Sequence, residues 1–189
     1  MLTDVAKAFG ETRTTLTWTL TATLAMRPVG ALIFGVMADR IGRRLSMTVN
    51  IIFYAVMSAL SGLAPSFSWF LVLRGLFGIG MGGQWGIGAS LVLESVPARW
   101  RGVLSGFLHQ GYSLGNLLAA LAFLLLYPAL QAYDPANAWR YMFFIGGIPA
   151  MLSVVVIAKV KESEAWQEHR TDWRTYFGSM PAFWKRFLY

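Results

Sequence analysis

Five long apolar segments alternate with short polar connectors along the chain. Each segment is long enough for a helix to cross the roughly 30 Å hydrocarbon core of a bilayer. The period-two alternation of apolar and polar residues that marks the strands of a membrane barrel is absent. The pattern therefore predicts an all-α, polytopic membrane bundle with five transmembrane helices, at residues 14–37, 45–65, 67–93, 102–128 and 141–158.

Composition supports a membrane location and excludes other classes of protein. Of the 189 residues, 56% are hydrophobic and only 13% are charged, whereas a typical soluble domain is about 25% charged. Disorder is excluded, because it requires low hydrophobicity and high charge. The net charge of +7 comes from 16 Lys and Arg against 9 Asp and Glu. Nucleic-acid binding is not expected, since the basic residues are spread over connectors instead of forming one basic face.

The basic residues mark alternate connectors. Eleven of the 16 lie in residues 38–44, in the connector before Gly102 and in the tail after Ala158. Because Lys and Arg accumulate on the cytoplasmic side of a membrane, we expect these segments in the cytoplasm and residues 1–13 outside. The chain is then a multi-pass protein of the plasma membrane, or of the inner membrane in a bacterium.

The two ends of the chain suggest what lies beside them in the membrane. Residues 1–13 have neither the basic start nor the apolar run of a signal peptide, so we expect a further span to precede them. The aromatic-rich segment from Tyr176 to Tyr189 fits either the beginning of another span or a helix lying in the membrane interface.

One glycine motif matches a nucleotide-binding signature. Gly78-Ile-Gly80-Met-Gly82-Gly83 fits G-x-G-x-x-G, but it lies in an apolar span and not after a strand, as dinucleotide binding requires. The four-residue spacing of Gly78, Gly82 and Gly86 instead predicts that helices approach closely here.

A second motif matches a hydrolase signature. Gly111-Tyr112-Ser113-Leu114-Gly115 fits G-x-S-x-G, whose serine needs a strand-to-helix turn and a histidine base. Ser113 lies within a span, and the two histidines are His109 on the same segment and His169 in the tail. An intramembrane serine hydrolase that uses Ser113 stays an alternative. Helix packing by small residues is favoured, through the pairs Gly102/Gly106 and Gly111/Gly115. With no Cys and two separated His, we expect no metal site and no cofactor.

Two arginines lie inside predicted spans. A charged side chain in hydrocarbon costs about 2.5–3.5 kcal/mol to insert, so Arg27 and Arg74 are functional candidates. Pro28 loosens the backbone ladder beside Arg27. On the third span, Trp85 lies on nearly the same helix face as Arg74, with Gln84 about 80° to its side.

Polar stripes on three spans predict a wet, positively charged cavity. Thr19, Thr23 and Arg27 form the first stripe, and the fourth span carries a stripe at i, i+3, i+4 and i+7 that begins at His109. Because Arg binds carboxylates bidentately, such a cavity favours a small organic anion. The alternative is that either Arg pairs with a carboxylate or with helix carbonyls in a portion of the protein absent from this chain and is purely structural. We predict that substrate binding or proton coupling uses Arg27, Arg74, Gln84, Trp85, His109 and Asn116.

The connectors resemble those of the major facilitator superfamily. The first basic connector, Gly35-Val-Met-Ala-Asp39-Arg40-Ile-Gly42-Arg43-Arg44, is similar to the superfamily signature G-x-x-x-D-R-x-G-R-R. The segment from Arg74 to Gly80 resembles R-G-x-x-G-x-G, and the segment from Glu94 to Gly102 resembles E-x-x-P-x-x-x-R-G. Around Gln84 and His109 the chain most resembles sialate:proton symporters and lactate/pyruvate permeases, which commonly have Glu where this chain has Gln84.

This resemblance implies a secondary transporter, not an enzyme, that moves a small organic acid such as lactate, pyruvate or sialic acid with protons by alternating access. The five spans would be helices two to six of twelve. Residues 1–160 would form a partial N-terminal bundle, and residues 161–189 a central cytoplasmic linker to a C-terminal bundle. Gly35 is expected to allow a close helix contact and Gly42 a tight turn. The implied conformational gating residues are Gly35, Asp39, Arg40, Gly42, Arg43, Arg44, Glu94 and Arg101.

Overall fold

The computed structural model describes residues 2–168, and every regular element within them is a helix. The helices are α1 (Leu2–Phe9), α2 (Arg13–Ile41), α3 (Arg43–Gly62), α4 (Phe67–Glu94), α5 (Ala98–Tyr133), α6 (Ala138–Ile145), α7 (Ile148–Lys159) and α8 (Glu164–Glu168). The predicted all-α bundle is confirmed. Most of the predicted linker, including His169 and the segment from Tyr176 to Tyr189, lies outside the described residues.

Five helical stretches are long and apolar enough to cross a membrane. They cover residues 14–41, 43–62, 67–94, 98–133 and 138–159, and each contains most or all of one predicted span. The largest difference is in α5, whose 36 residues correspond to about 54 Å at 1.5 Å per residue. This helix therefore extends well beyond the hydrocarbon core, because helical geometry continues through the polar residues at its ends.

The fifth predicted span is not one continuous helix. It breaks at Gly146 and Gly147, which separate α6 from α7. Glycine is the least favourable helix former after proline, and Pro149 fits the first turn of a new helix because the missing N–H is not needed there. By contrast, Pro28 and Pro128 lie inside their helices.

The close contact of α2 with α4 depends on glycines. An ideal Cβ built at Gly82 would lie 2.7 Å from the carbonyl carbon of Arg27, and one at Gly78 would lie 2.9 Å from that of Thr23. Ordinary contacts begin at about 3.4 Å, so only glycine allows the two backbones to come this close. The predicted packing role of these two glycines is confirmed.

Other glycines with the same spacing have no such role. A Cβ at Gly86 would meet no heavy atom within 4 Å in the described part of the chain. The same holds for the four α5 glycines that were expected to pack against a neighbouring helix, so that expectation is wrong for the described residues: Gly102, Gly106, Gly111 and Gly115. Spacing alone does not show which face of a helix meets a neighbour.

The two ends of the bundle have different connectors. At one end, α1 packs into a cluster around the fully buried Trp139, with Phe70 and the α3–α4 connector. Asp4 of α1 accepts a hydrogen bond of 2.5 Å from the Tyr127 hydroxyl, which lowers the pKa of Asp4. At the other end, the three connectors that carry the basic residues meet. The membrane side that each end faces stays a prediction.

Candidate functional site

A cavity of about 560 Å³ lies between α2, α4 and α5. Its volume is within the range of about 300–1,000 Å³ that is usual for small-molecule sites. The lining residues are Arg27 from α2, Met47 from α3, Met81, Gln84, Trp85, Gly88 and Ala89 from α4, and Leu108, His109, Gly111 and Tyr112 from α5.

Arg27 supplies the positive charge of this cavity. Its Nη2 atom donates to the Met81 sulfur at 3.6 Å, a weak acceptor. Its Nε atom is buried and has no hydrogen-bond partner among the described residues. A buried charged group without full pairing is unfavourable, so this guanidinium retains donors for an anion. The described ion pairs do not include Arg27.

Three other predicted residues line the same cavity. Trp85 and His109 face each other from α4 and α5, with ring centroids 5.4 Å apart and ring planes at 84°. Gln84 lies next to Trp85 on the cavity wall. The structure thus brings together Arg27, Gln84, Trp85 and His109, and their part in binding or proton coupling stays a prediction.

Arg74 lies outside the cavity lining. Its guanidinium carbon is 4.4 Å from the ring centre of Phe77 and 4.8 Å from that of Phe143. Its Nε and Nη2 atoms donate to the Ser61 hydroxyl at 3.2 and 2.8 Å. Trp85 does share nearly the same helix direction, but eleven residues separate the two by about 16 Å along the axis. The two side chains therefore lie in different parts of α4 and have different neighbours.

The polar stripe of α2 also faces α4 more than the cavity. Thr19 is buried and donates to a carbonyl of its own helix. The Thr23 hydroxyl donates to the carbonyl of Arg74 at 3.0 Å. Of this predicted stripe, only Arg27 lines the cavity.

The polar stripe of α5 is exposed, and only part of it lines the cavity. Every residue from His109 to Leu121 is exposed in the described structure, and Ser113 and Asn116 lie on this surface without lining the cavity. Ser113 is inside a continuous helix, so the strand-to-helix turn of a nucleophile elbow is not formed. The G-x-G-x-x-G segment likewise lies inside α4 and follows no strand.

Some of the predicted gating residues form a charge cluster at the end of the bundle with the basic connectors. Arg43 pairs with Asp39 one helical turn earlier and with the Glu94 carboxylate of α4, the latter at 3.3 Å. These contacts join the α2–α3 turn to the C-terminal end of α4. Three residues of the implied gating set, Asp39, Arg43 and Glu94, are therefore in contact with one another.

Glu162, whose role the sequence did not predict, completes this cluster. Its Oε1 atom accepts hydrogen bonds from the backbone N–H groups of Arg43 at 2.9 Å and Arg44 at 3.1 Å. These N–H groups at the beginning of α3 have no acceptor within the helix, and negative charge is favourable there. Beside it, the Ser163 hydroxyl donates to Glu94 at 2.6 Å. The acid after the last span was visible in the sequence, but its backbone partners were not.

Two gating glycines differ in what they do. Gly42 has φ of +105°, which confirms the predicted tight turn, and a Cβ there would overlap the Glu162 carboxylate. The expectation for Gly35 is wrong within the described residues, because a Cβ at this position would meet no heavy atom within 4 Å. Gly30, five residues earlier, makes the close contact with α4 instead, because a Cβ there would lie 2.6 Å from the carbonyl carbon of Ile79.

The other three gating residues are basic. Arg44 donates to the carbonyl oxygens of Ile157 and Ala158 at the end of α7. Arg40 and Arg101 are exposed. The gating role of all these residues stays a prediction.

Known proteins resemble this chain over most of its length. Residues 3–174 match the family described as "Sugar (and other) transporter". The chain is 34% identical to a probable 4-methylmuconolactone transporter of Cupriavidus pinatubonensis, over 82% of this chain and 38% of that protein. It is 33% identical to the sialic acid transporter NanX of Escherichia coli, over 86% and 39%. It is 32% identical to the niacin transporter NiaP of Acinetobacter baylyi, over 86% and 36%.

Solved structures share the fold. The proton:xylose symporter XylE of the major facilitator superfamily matches with a TM-score of 0.77 at 21% identity, over 87% of this chain and 40% of that chain. A partially occluded inward-open XylE from E. coli matches with a TM-score of 0.68 at 26% identity, over 80% and 39%. The chain spans about two fifths of the length of these relatives. It is a multi-pass membrane protein, and it belongs to the sugar (and other) transporter family.

Proposed function

We propose that this chain forms part of a secondary transporter that moves a small organic anion together with protons by alternating access. The observation that carries this proposal is Arg27, a positive charge that lines a ligand-sized cavity and has an unpartnered buried Nε atom among the described residues. A planar guanidinium matches the geometry of a carboxylate. A neutral sugar would leave this charge unpaired in a low-dielectric environment, which is unfavourable.

The relatives support an acidic substrate. Two of them are described as transporters of sialic acid and of niacin, and both compounds are carboxylic acids. A third is described as a cis,cis-muconate transport protein. Lactate and pyruvate carry the same functional group, so the shared chemistry of the proposed substrates is a carboxylate on a small organic body.

The charge cluster supplies the proposed conformational latch. Through Arg43, Glu94 and Glu162 it joins the α2–α3 turn, the end of α4 and the segment after α7. Alternating access requires bundles to rock relative to one another around a central site, and we assign the second bundle to the same gene product. Ion pairs at a partly exposed end are suited to this task, since each contributes only about 0–1 kcal/mol and breaks readily.

We place the end with the charge cluster in the cytoplasm and the end with α1 outside. The excess of Lys and Arg on alternate connectors supports this orientation, because such loops are retained on the cytoplasmic side. The membrane is then the plasma membrane, or the inner membrane in a bacterium.

The test is uptake by the complete gene product in reconstituted vesicles. Radiolabelled sialic acid, nicotinate, cis,cis-muconate, lactate and pyruvate are the probes. Arg27→Gln removes charge-assisted hydrogen bonds worth about 1.5–3 kcal/mol, so the half-saturating concentration of the transported anion should rise about 10- to 100-fold. Arg27→Lys keeps the charge without the planar fork and should give a smaller increase.

Two further variants show whether the effect is specific to Arg27 and to transport. Arg74→Lys should keep the apparent affinity for the anion in correctly folded protein, because Arg74 is enclosed by aromatic rings outside the cavity. Ser113→Ala should behave like the unmodified protein, whereas a hydrolase would lose activity. The proposed function would be refuted if the unmodified protein transported none of the five anions. It would also be refuted if Arg27→Gln left the apparent affinity for the anion unchanged.

A further inference from the structure

A positive charge and an aromatic ring meet in the cavity, about one turn of α4 apart. The Arg27 guanidinium lies beside Met81, whose sulfur accepts its hydrogen bond at 3.6 Å. Trp85 follows Met81 by four residues, so the two share one face of α4 and are separated by about 6 Å along its axis. All three residues line the cavity. A carboxylate that binds Arg27 therefore brings the group attached to it close to the Trp85 ring.

Trp85 and His109 form an aromatic corner in the cavity wall. Their ring centroids are 5.4 Å apart and their ring planes are nearly perpendicular, at 84°. Trp85 is 51% exposed and His109 is also exposed, so both rings have surface left for a ligand. A flat ring that lies parallel to one of them is perpendicular to the other. It then makes one offset-stacked and one edge-to-face contact, the two arrangements that aromatic pairs prefer.

The rest of the lining favours a ligand body without hydroxyl groups. The lining residues whose side chains form no strong hydrogen bond are Met47, Met81, Gly88, Ala89, Leu108 and Gly111. A hydroxyl group buried against such residues loses its water partners without replacement, which is unfavourable. Methionine thioethers make favourable contacts with aromatic rings instead. The lining therefore suits a flat, unsaturated ring.

We infer that the cavity selects aromatic carboxylates, in which a flat ring carries the carboxylate directly. This inference rests on the proposed function and names its substrate class. Arg27 binds the carboxylate, and the corner of Trp85 and His109 holds the ring. Lactate and pyruvate gain only the contact with Arg27, and the hydroxyl groups of sialic acid meet an apolar wall. Trp85 and His109 are then specificity-determining residues, and this role does not depend on the charge of the imidazole.

The test compares benzoate with cyclohexanecarboxylate as inhibitors of uptake by the complete gene product in vesicles. Both carry a carboxylate on a six-carbon ring and both are ionised near neutral pH, but only benzoate is flat and aromatic. The labelled substrate is whichever of the five radiolabelled anions the protein transports best. Two aromatic contacts should make the half-inhibitory concentration of benzoate about 5- to 100-fold lower. Burial of apolar area does not produce this difference, because the saturated ring has at least as much apolar surface.

Substitutions separate the ring contacts from general packing. Trp85→Leu keeps an apolar side chain without a ring and should reduce the preference for benzoate about 2- to 10-fold. Trp85→Phe restores an aromatic ring and should retain most of the preference. His109→Leu removes the other ring and should reduce the preference by a similar factor. Trp69→Leu is the matched control with an unchanged preference, because Trp69 is 59% exposed on the same helix as Trp85 and lies outside the cavity lining.

The results distinguish this inference from the proposed function. If the unmodified protein transports one of the five anions but binds both inhibitors equally well, the aromatic preference is wrong and the anion site at Arg27 stands. An unchanged preference in Trp85→Leu also contradicts the inference. If Trp85→Leu fails to fold, His109→Leu decides, because an unchanged preference in that variant contradicts the aromatic corner equally. If the unmodified protein transports none of the five anions, the proposed function fails first and this inference fails with it.

Discussion

Gly82→Ala tests the α2–α4 contact that positions Arg27. The substitution adds one methyl group where an ideal Cβ lies 2.7 Å from the carbonyl carbon and 2.9 Å from the Cα of Arg27. Ordinary contacts begin at about 3.4 Å, so the two backbones must separate by at least about 0.7 Å. The obstructing atoms belong to the backbone of a helix, so no rotation of a flexible side chain can relieve the overlap.

The size of the effect follows from two opposing terms. Overpacking of this kind costs about 1–3 kcal/mol, whereas alanine is favoured over glycine in a helix by about 0.5–1 kcal/mol. Gly86→Ala is the matched control, because Gly86 lies one turn later on the same helix and a Cβ there meets no heavy atom within 4 Å. The difference between the two variants cancels the propensity term, so Gly82→Ala should be less stable than Gly86→Ala by about 1–3 kcal/mol.

The difference is measured by unfolding each variant in detergent and monitoring the loss of the helical circular dichroism signal. Gly86→Ala should match the unmodified protein or exceed its stability slightly. Gly82→Ala should also raise the half-saturating anion concentration, because the shift displaces the backbone of Arg27. Equal stability of the two variants would refute the close-contact argument.

Three further predictions concern the ends of the bundle. Glu162→Ala leaves backbone amides at the beginning of α3 without an acceptor and should lower the free energy of unfolding by about 1–3 kcal/mol; Glu164→Ala, an exposed neighbour, should have little effect on the melting temperature. The Asn137 amide lowers the pKa of Asp134, so this carboxylate stabilises the fold above about pH 4 and loses that effect as the pH falls; Asp134→Ala should therefore reduce the drop in melting temperature on acidification. This chain has no cysteine, so Ala136→Cys and Arg101→Cys each introduce a single thiol into it. An impermeant maleimide should label Ala136→Cys when it is added outside the cell, and Arg101→Cys when it is added on the cytoplasmic side of the membrane. The reverse labelling would overturn the proposed orientation.

Several properties could be predicted because they depend on local composition. The number and place of the membrane helices follow from apolar segments of bilayer length, which tertiary packing does not change. The tight turn at Gly42 and the ion pair between Asp39 and Arg43 also depend on local sequence, because each is formed by residues that are only a few positions apart in the chain.

The glycines and the arginines show where sequence reasoning ended. Gly78, Gly82 and Gly86 have identical spacing, but only the first two face α2. Arg27 and Arg74 are both charges inside apolar spans, and the sequence pattern does not distinguish them. Their surroundings in the structure distinguish them. Arg74 contacts Ser61 and aromatic rings, whereas Arg27 lines the cavity and has only one weak hydrogen-bond acceptor there.

By itself, the sequence determined that this chain is a multi-pass helical membrane protein. It also determined that the charged connectors resemble the signatures of a transporter superfamily, because hydropathy, charge and short motifs are encoded by neighbouring residues. Only the tertiary structure decided which polar residues meet. It placed Arg27 and His109 in one cavity, gave Glu162 to the beginning of α3 and left the glycines of α5 without a close contact among the described residues. The physical reason is that these contacts join residues up to 119 positions apart, and their formation depends on helix rotation and depth, which a periodic pattern does not specify.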